Sequence, residues 1–242
     1  MFPQLSTDRD NGDEVKTSFP AIIQCGRGEP ADVLHLTRMP SRDLHIGARD
    51  VLLYVCKRPV HRVDIALLRS QSQDDAALVS AGRVPTPGLE GVGVIVQLGA
   101  AVRLERRFSV GQRVAFLAPS WSARTVAPCD AVFAIPDEIP DTIAAQLLVN
   151  ALRAQMAMKN VRLTLASAPY NITLPEISIA SWWRTVDADE RAAQVRMAID
   201  LATRKPELFG VAREYEFVDF LGAIAHAGLP GTRGTVLLNT GF

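Results

Sequence analysis

Cysteine is scarce in this chain. The three present, Cys25, Cys56 and Cys129, are dispersed and odd in number, which excludes a disulfide framework and a cysteine-built zinc cluster. An excess of either charge is missing as well: 26 basic residues face 26 acidic ones, and no basic run breaks the balance, so a nucleic-acid partner is not expected. No apolar stretch approaches the roughly 20 residues of a membrane span, and the first residues lack the apolar core of a secretory signal. The expectation is a soluble, cytoplasmic protein with no membrane partner. Also missing is any G-x-G-x-x-G opening a helix; the one dense glycine cluster, Gly88–Gly93, leads into a strand instead. What is present is a chain of 242 residues, nearly half apolar, long enough to bury one large core or two small ones.

Residues 4–18 are polar, charged and almost without apolar anchors, and predict a disordered or loosely held arm over 1–18. Short strands are predicted at Phe19–Cys25, closed by Gly26-Arg-Gly28, then at Val33–Arg38 and at Asp50–Cys56. Separated by glycine and proline turns, they suggest a rolled β-barrel. The pivotal stretch is Val84-Pro-Thr-Pro-Gly-Leu-Glu-Gly-Val-Gly-Val-Ile-Val96, in which glycines crowd before a β-branched run. Such a backbone turns tightly, approaches other groups closely and then becomes a buried strand. Val110-Gly-Gln-Arg-Val114 follows at the distance of the next strand. Ala134-Ile-Pro-Asp-Glu-Ile-Pro140 then leads into an amphipathic helix predicted over Asp141–Lys159 and N-capped at Asp141. A second helix is predicted from Asp187 to Lys205.

The three blocks in this order resemble the catalytic domain of the medium-chain dehydrogenase/reductase superfamily. The matching positions are Pro87, Gly88, Glu90, Gly91, Gly93 and Val94; Val110, Gly111, Arg113 and Val114; and Ile135, Pro136, Asp137, Ile139, Ala144 and Ala145. Within it the zinc-free quinone oxidoreductases and 2-enoyl-thioester reductases are most similar. The resemblance implies a GroES-like barrel over residues 19–158, within an α+β chain that is mainly β. It returns near the end, where Tyr215–Ala227, including His226, and Gly231–Leu238 match the family's closing helix and strand.

Site residues follow from the same resemblance. In Arg58-Pro-Val-His61-Arg-Val-Asp64, the aspartate matches, while His61 falls where zinc enzymes carry a cysteine ligand and zinc-free ones an asparagine. The family's second zinc ligand would fall at Leu89, which cannot ligate, so no metal is expected. Two readings of His61 stay open: a loop histidine bonded to Asp64 or to backbone, or a general acid/base whose ring Asp64 orients. The proton-donating tyrosine of the enoyl reductases falls at Ser72, and the threonine that approaches the nicotinamide falls at Arg153, just after Asn150. Trp121 matches a tryptophan bordering the substrate cleft and reads equally well as a core plug. Cys129 reads as buried packing.

The family's dinucleotide-binding domain should follow the Asp141 helix, and a single βαβ unit takes about 30 residues. Only Asn160–Pro175 separates that helix from Glu176-Ile-Ser-Ile-Ala-Ser-Trp-Trp183, which is similar to the family's last cofactor-sheet strand. Residues 159–209 therefore read as a remnant of that domain, with no cofactor of its own, and 210–242 as a segment returning to the catalytic domain. A strand around Ile177–Ala180, stripped of its sheet, would pair across a homodimer, with Arg162–Leu165 as a second candidate. Three functions are compatible with this reading. One is a cofactor-independent enzyme acting on a small or carrier-bound, α,β-unsaturated carbonyl substrate. It would use His61, Asp64 and Arg153 for chemistry, with Trp121, Asn150, Trp182 and Trp183 lining the cleft. The others are a non-catalytic relic and a reductase completed in trans.

Overall fold

The computed structural model describes residues 18–69, 86–154, 183 and 185–240. The predicted arm and the strand candidates at 162–165 and 177–180 lie outside the described residues. Strand β1 (Ser18–Gln24) starts one residue inside the span assigned to the arm and pairs antiparallel with β2 (Leu34–Pro40). The start predicted for β2 is one residue early. Val33 closes a one-turn helix, α1 (Pro30–Val33), because Pro30 sits at its first turn with φ preset for a helix.

The hub is β3 (Asp50–Val60), which pairs with three strands. One edge takes β4 (Glu90–Leu98); the other is divided between β6 (Arg124–Pro128), which covers Asp50–Tyr54, and β9 (Thr235–Asn239), which covers Lys57–Val60. Beyond β4 come β5 (Arg113–Leu117) and β7 (Val132–Ala134), all antiparallel. Beyond β9 lies β8 (Val211–Glu216), the one parallel partner. Among the described residues this is a seven-stranded sheet with an open pairing path, β7-β5-β4-β3-β9-β8, and β6 attached to the side. Alternation explains the core: Val51, Leu53 and Val55 of β3 point one way and are fully buried with Ile95, Val114, Phe116 and Val132. Cys129 is buried in the same cluster.

The glycines of the pivotal stretch are accounted for by close approach. A Cβ on Gly93 would run into the carbonyl of Tyr54 in β3. Gly88, at φ +92°, leaves the space that Ser120 and the Trp121 ring fill.

Helices cover the sheet. They are α2 (Arg62–Arg69), α3 (Ala100–Glu105), α4 (Asp141–Ala144), α5 (147–154), α6 (Ala188–Arg204) and α7 (Phe220–Gly228). The single helix predicted from Asp141 is thus divided, with a turn at 145–146. The second part starts anew because the N–H groups of Leu148 and Val149 donate to the Glu90 carboxylate instead of continuing the helical ladder. Asp141 is not the cap: Pro140 holds that place, and the Asp141 carboxylate pairs with Arg113 Nε at 2.7 Å. Asp187 does cap α6, its Oδ1 accepting from Glu190 N at 2.8 Å. The buried face of α6 is Val195, Ala198 and Ala202, in one cluster with Leu147, Leu148, Ala151 and Leu152 of α5. Small residues there allow close packing, whereas Met197 is exposed.

Candidate active site

His61 ends β3's run and stands at the N-cap of α2. Its backbone N–H donates to Asp64 Oδ2 at 2.7 Å, which makes Asp64 the third-position carboxylate of a capping box. Of the two sequence readings of His61, one bonded it to Asp64, as this contact does, and the other had Asp64 orienting the imidazole ring. The structure assigns that task elsewhere, since a carboxylate already bound to His61's own amide is turned to the helix end. The ring is held by Glu90, whose Oε1 lies 2.6 Å from His61 Nε2. The other Glu90 oxygen accepts from Leu148 N at 2.8 Å and Val149 N at 2.9 Å. One carboxylate, 1% exposed, therefore joins β4, the start of α2 and the N-terminus of α5.

An ionised carboxylate only accepts, so the proton of a neutral His61 resides on Nε2. Nδ1 takes no partner among the described residues and is left as the working atom: a base when the ring is neutral, an acid when it is charged. Burial pulls the imidazole down. The hydrogen bond and charge of Glu90 push harder the other way, so its pKa stands above the ordinary histidine value. The Arg153 cation, half-buried on α5, acts on the same ring by lowering it, and so belongs to this neighbourhood. Burial raises the Asp64 carboxyl to about 6 against the opposing pull of His61, and its Oδ1 is buried without a partner.

Other predicted site residues are occupied otherwise. Trp121 is fully buried, donates from Nε1 to Pro59 O at 3.2 Å and packs with Ile22, Val60 and Phe217. With no accessible surface it is a core plug, which corrects its assignment to the cleft wall. Asn150 points its amide at Gln146 Oε1 (3.0 Å) and Thr235 Oγ1 (3.2 Å), tying α5 to β9, so its donor side is committed to structure. Trp183 meets Phe133 edge-on at 5.8 Å and stacks against Arg191 of α6. Trp182 and Ser72 lie outside the described residues. The sequence reading placed Glu90 in a motif but gave it no role. The signal available was its position, a charged side chain at the start of a strand that is otherwise apolar.

Among the described residues no three His, Cys, Asp or Glu side chains converge on a metal position, and Glu90 already spends both oxygens. A pyrophosphate seeks an open helix N-terminus. Among the described helices of eight or more residues, a carboxylate accepts from backbone N–H at the start of α2 (Asp64), α5 (Glu90) and α6 (Asp187), whereas Asp219 at the start of α7 makes no side-chain cap bond.

What remains is a buried carboxylate–imidazole pair on a mainly β scaffold. No family model and no curated relative matches the sequence. Solved structures do. The human synaptic vesicle membrane protein VAT-1 homolog-like protein is 13% identical, with 93% of this chain and 99% of that one covered at a TM-score of 0.73. The mycobacterial quinone oxidoreductase Rv154c is 16% identical over 92% of this chain and 100% of that one, at 0.68. The CurF ER cyclopropanase from the curacin A biosynthetic pathway is 15% identical over 91% and 99%, at 0.56. The chain shares its fold with these structures and with the CurK enoyl reductase, 12% identical over 91% of this chain and 99% of that one, at 0.64. Among the described residues, no helix is long and apolar enough to cross a membrane.

Proposed function

We propose that the chain is a cofactor-independent acid/base enzyme on a reductase-like scaffold, acting on an α,β-unsaturated or related carbonyl compound, free or carrier-bound. The observation that carries this is the 2.6 Å contact between His61 and Glu90, with no described residue bonded to Nδ1. Glu90 is the positioning residue: it fixes the tautomer and favours the imidazolium. Nδ1 of the charged ring protonates a carbonyl or enolate oxygen; the neutral ring takes the proton back from carbon or from an attacking hydroxyl. Arg153 supplies positive charge for a carboxylate or developing oxyanion. Addition, isomerisation, cyclisation and elimination all need only these steps. That the CurF cyclopropanase has this fold supports chemistry beyond quinone reduction on this scaffold. Support for the lack of a dinucleotide and of zinc comes from the sequence, which has no glycine-rich strand-to-helix turn and no ligand at Leu89. The protein acts in the cytoplasm as a homodimer.

A screen of enone and enoyl-thioester substrates, followed by loss of the conversion of whichever compound turns over, is the test. His61→Ala should reduce kcat at least about a hundredfold. Turnover unchanged in that variant removes the assignment, and saturable micromolar NADPH binding by calorimetry restores a reductase. A non-catalytic scaffold is the second reading, favoured by the structural commitments of Trp121 and Asn150.

A further inference from the structure

Helix α7 is apolar on both sides. Its inner face, Phe220, Ala223, Ile224 and Ala227, is buried against α2 and the sheet. Its outer face is Val218, Leu221, Ala225 and Leu229, spaced three and four residues apart. Val218 is 66% exposed, Leu229 56% and Leu221 41%. An amphipathic helix would put charged residues here. The charges lie at the ends. Exposed Asp219 sits over the first turn, against Gly222, and Arg62 caps the far end by donating to Leu229 O at 2.6 Å.

We propose that this face is a two-fold interface with a second copy of the chain. An apolar stripe about 16 Å long, acidic at one end and basic at the other, is complementary to itself when a second helix crosses it antiparallel. Val218 of one copy then meets Leu229 of the other, and each Asp219 meets an Arg62. Gly222 and Ala225 fall near the axis, where small side chains let the backbones approach. A single helix face is smaller than the roughly 800 Å² per partner of a standard interface, so association falls in the micromolar range.

The test is sedimentation velocity of the full chain over a micromolar concentration series. Leu221→Glu should abolish one association step, with its dissociation constant raised at least about tenfold. Asp219→Arg should weaken the same step, and adding Arg62→Asp should restore it, which a folding defect would not do. A wild-type chain with no concentration dependence overturns the proposal. So does unchanged association in Leu221→Glu, or a double charge swap no better than the single one. Because these variants change only the α7 face and Arg62, association through any other surface persists and is told apart.

Discussion

Glu90→Ala is the sharpest perturbation the structure offers. The carboxylate holds three buried groups at once: His61 Nε2, Leu148 N and Val149 N, at 2.6, 2.8 and 2.9 Å. Truncation leaves two backbone donors unsatisfied in the core, at about 1–3 kcal/mol each, and removes the partner of a buried imidazole. The carboxylate's own desolvation is recovered, so the net loss is about 3–5 kcal/mol, the range for breaking a buried pair. Glu90→Gln keeps an acceptor for the helix and a donor for a neutral ring, and should lose only about 1–2 kcal/mol. Urea unfolding of the three proteins measures both differences. Their pH dependence adds a second check. A histidine raised on folding contributes stability fully present below its unfolded value near 6.5 and lost as pH rises through its higher folded value. The wild-type advantage over Glu90→Gln should therefore be largest below pH 6.5 and shrink above it. NMR of labelled His61 should show its titration moved to lower pH in Glu90→Gln. An Ala variant within about 0.5 kcal/mol of wild type, or an unmoved His61 titration, refutes the reasoning.

Asp64→Asn acts with pH in a definite direction. A carboxyl raised from 3.8 to about 6 carries stability that is present below 3.8 and lost as pH rises through 6. The variant should match wild type near pH 4 and gain on it by up to about 3 kcal/mol near pH 8, as read by thermal or urea unfolding. Arg58→Met addresses the fully buried guanidinium of β3. That group bonds Val55 O and Thr240 through Nη2 and stacks on Phe217 at 4.6 Å, but Nε and Nη1 have no partner. Burial lowers it to about 9, so its cost is complete below pH 9 and fades as pH rises further. Methionine should add about 1–4 kcal/mol at pH 7 and less at pH 10; a loss at pH 7 would contradict the reading.

The block around Gly88–Val96 was legible because its demands are local: a turn at Gly88, then a strand whose Gly93 slides beneath a neighbouring carbonyl. His61 was legible as a titratable group near neutrality. Its partner was not. Glu90 lies 29 residues from His61 and 58 from Leu148, and no periodicity links them. Asp64, three residues away, looked like the orienter because sequence nearness favours it, yet at that spacing a helix start directs the carboxylate to the backbone instead. The same long-range contact explains why a continuous apolar pattern from Asp141 became two helices.

By itself, the sequence determined the early strands, the helix from Asp187, the glycines that let β3 and β4 approach, and the candidacy of His61, since these rest on φ preferences, alternation and intrinsic acidity. Tertiary structure alone decided that Glu90 governs the imidazole, that Trp121 is sealed in the core, and that one face of α7 is left apolar toward solvent. Each of those depends on which distant atoms exclude water from a side chain, and burial of that kind is a property of the packed chain, not of any segment in it.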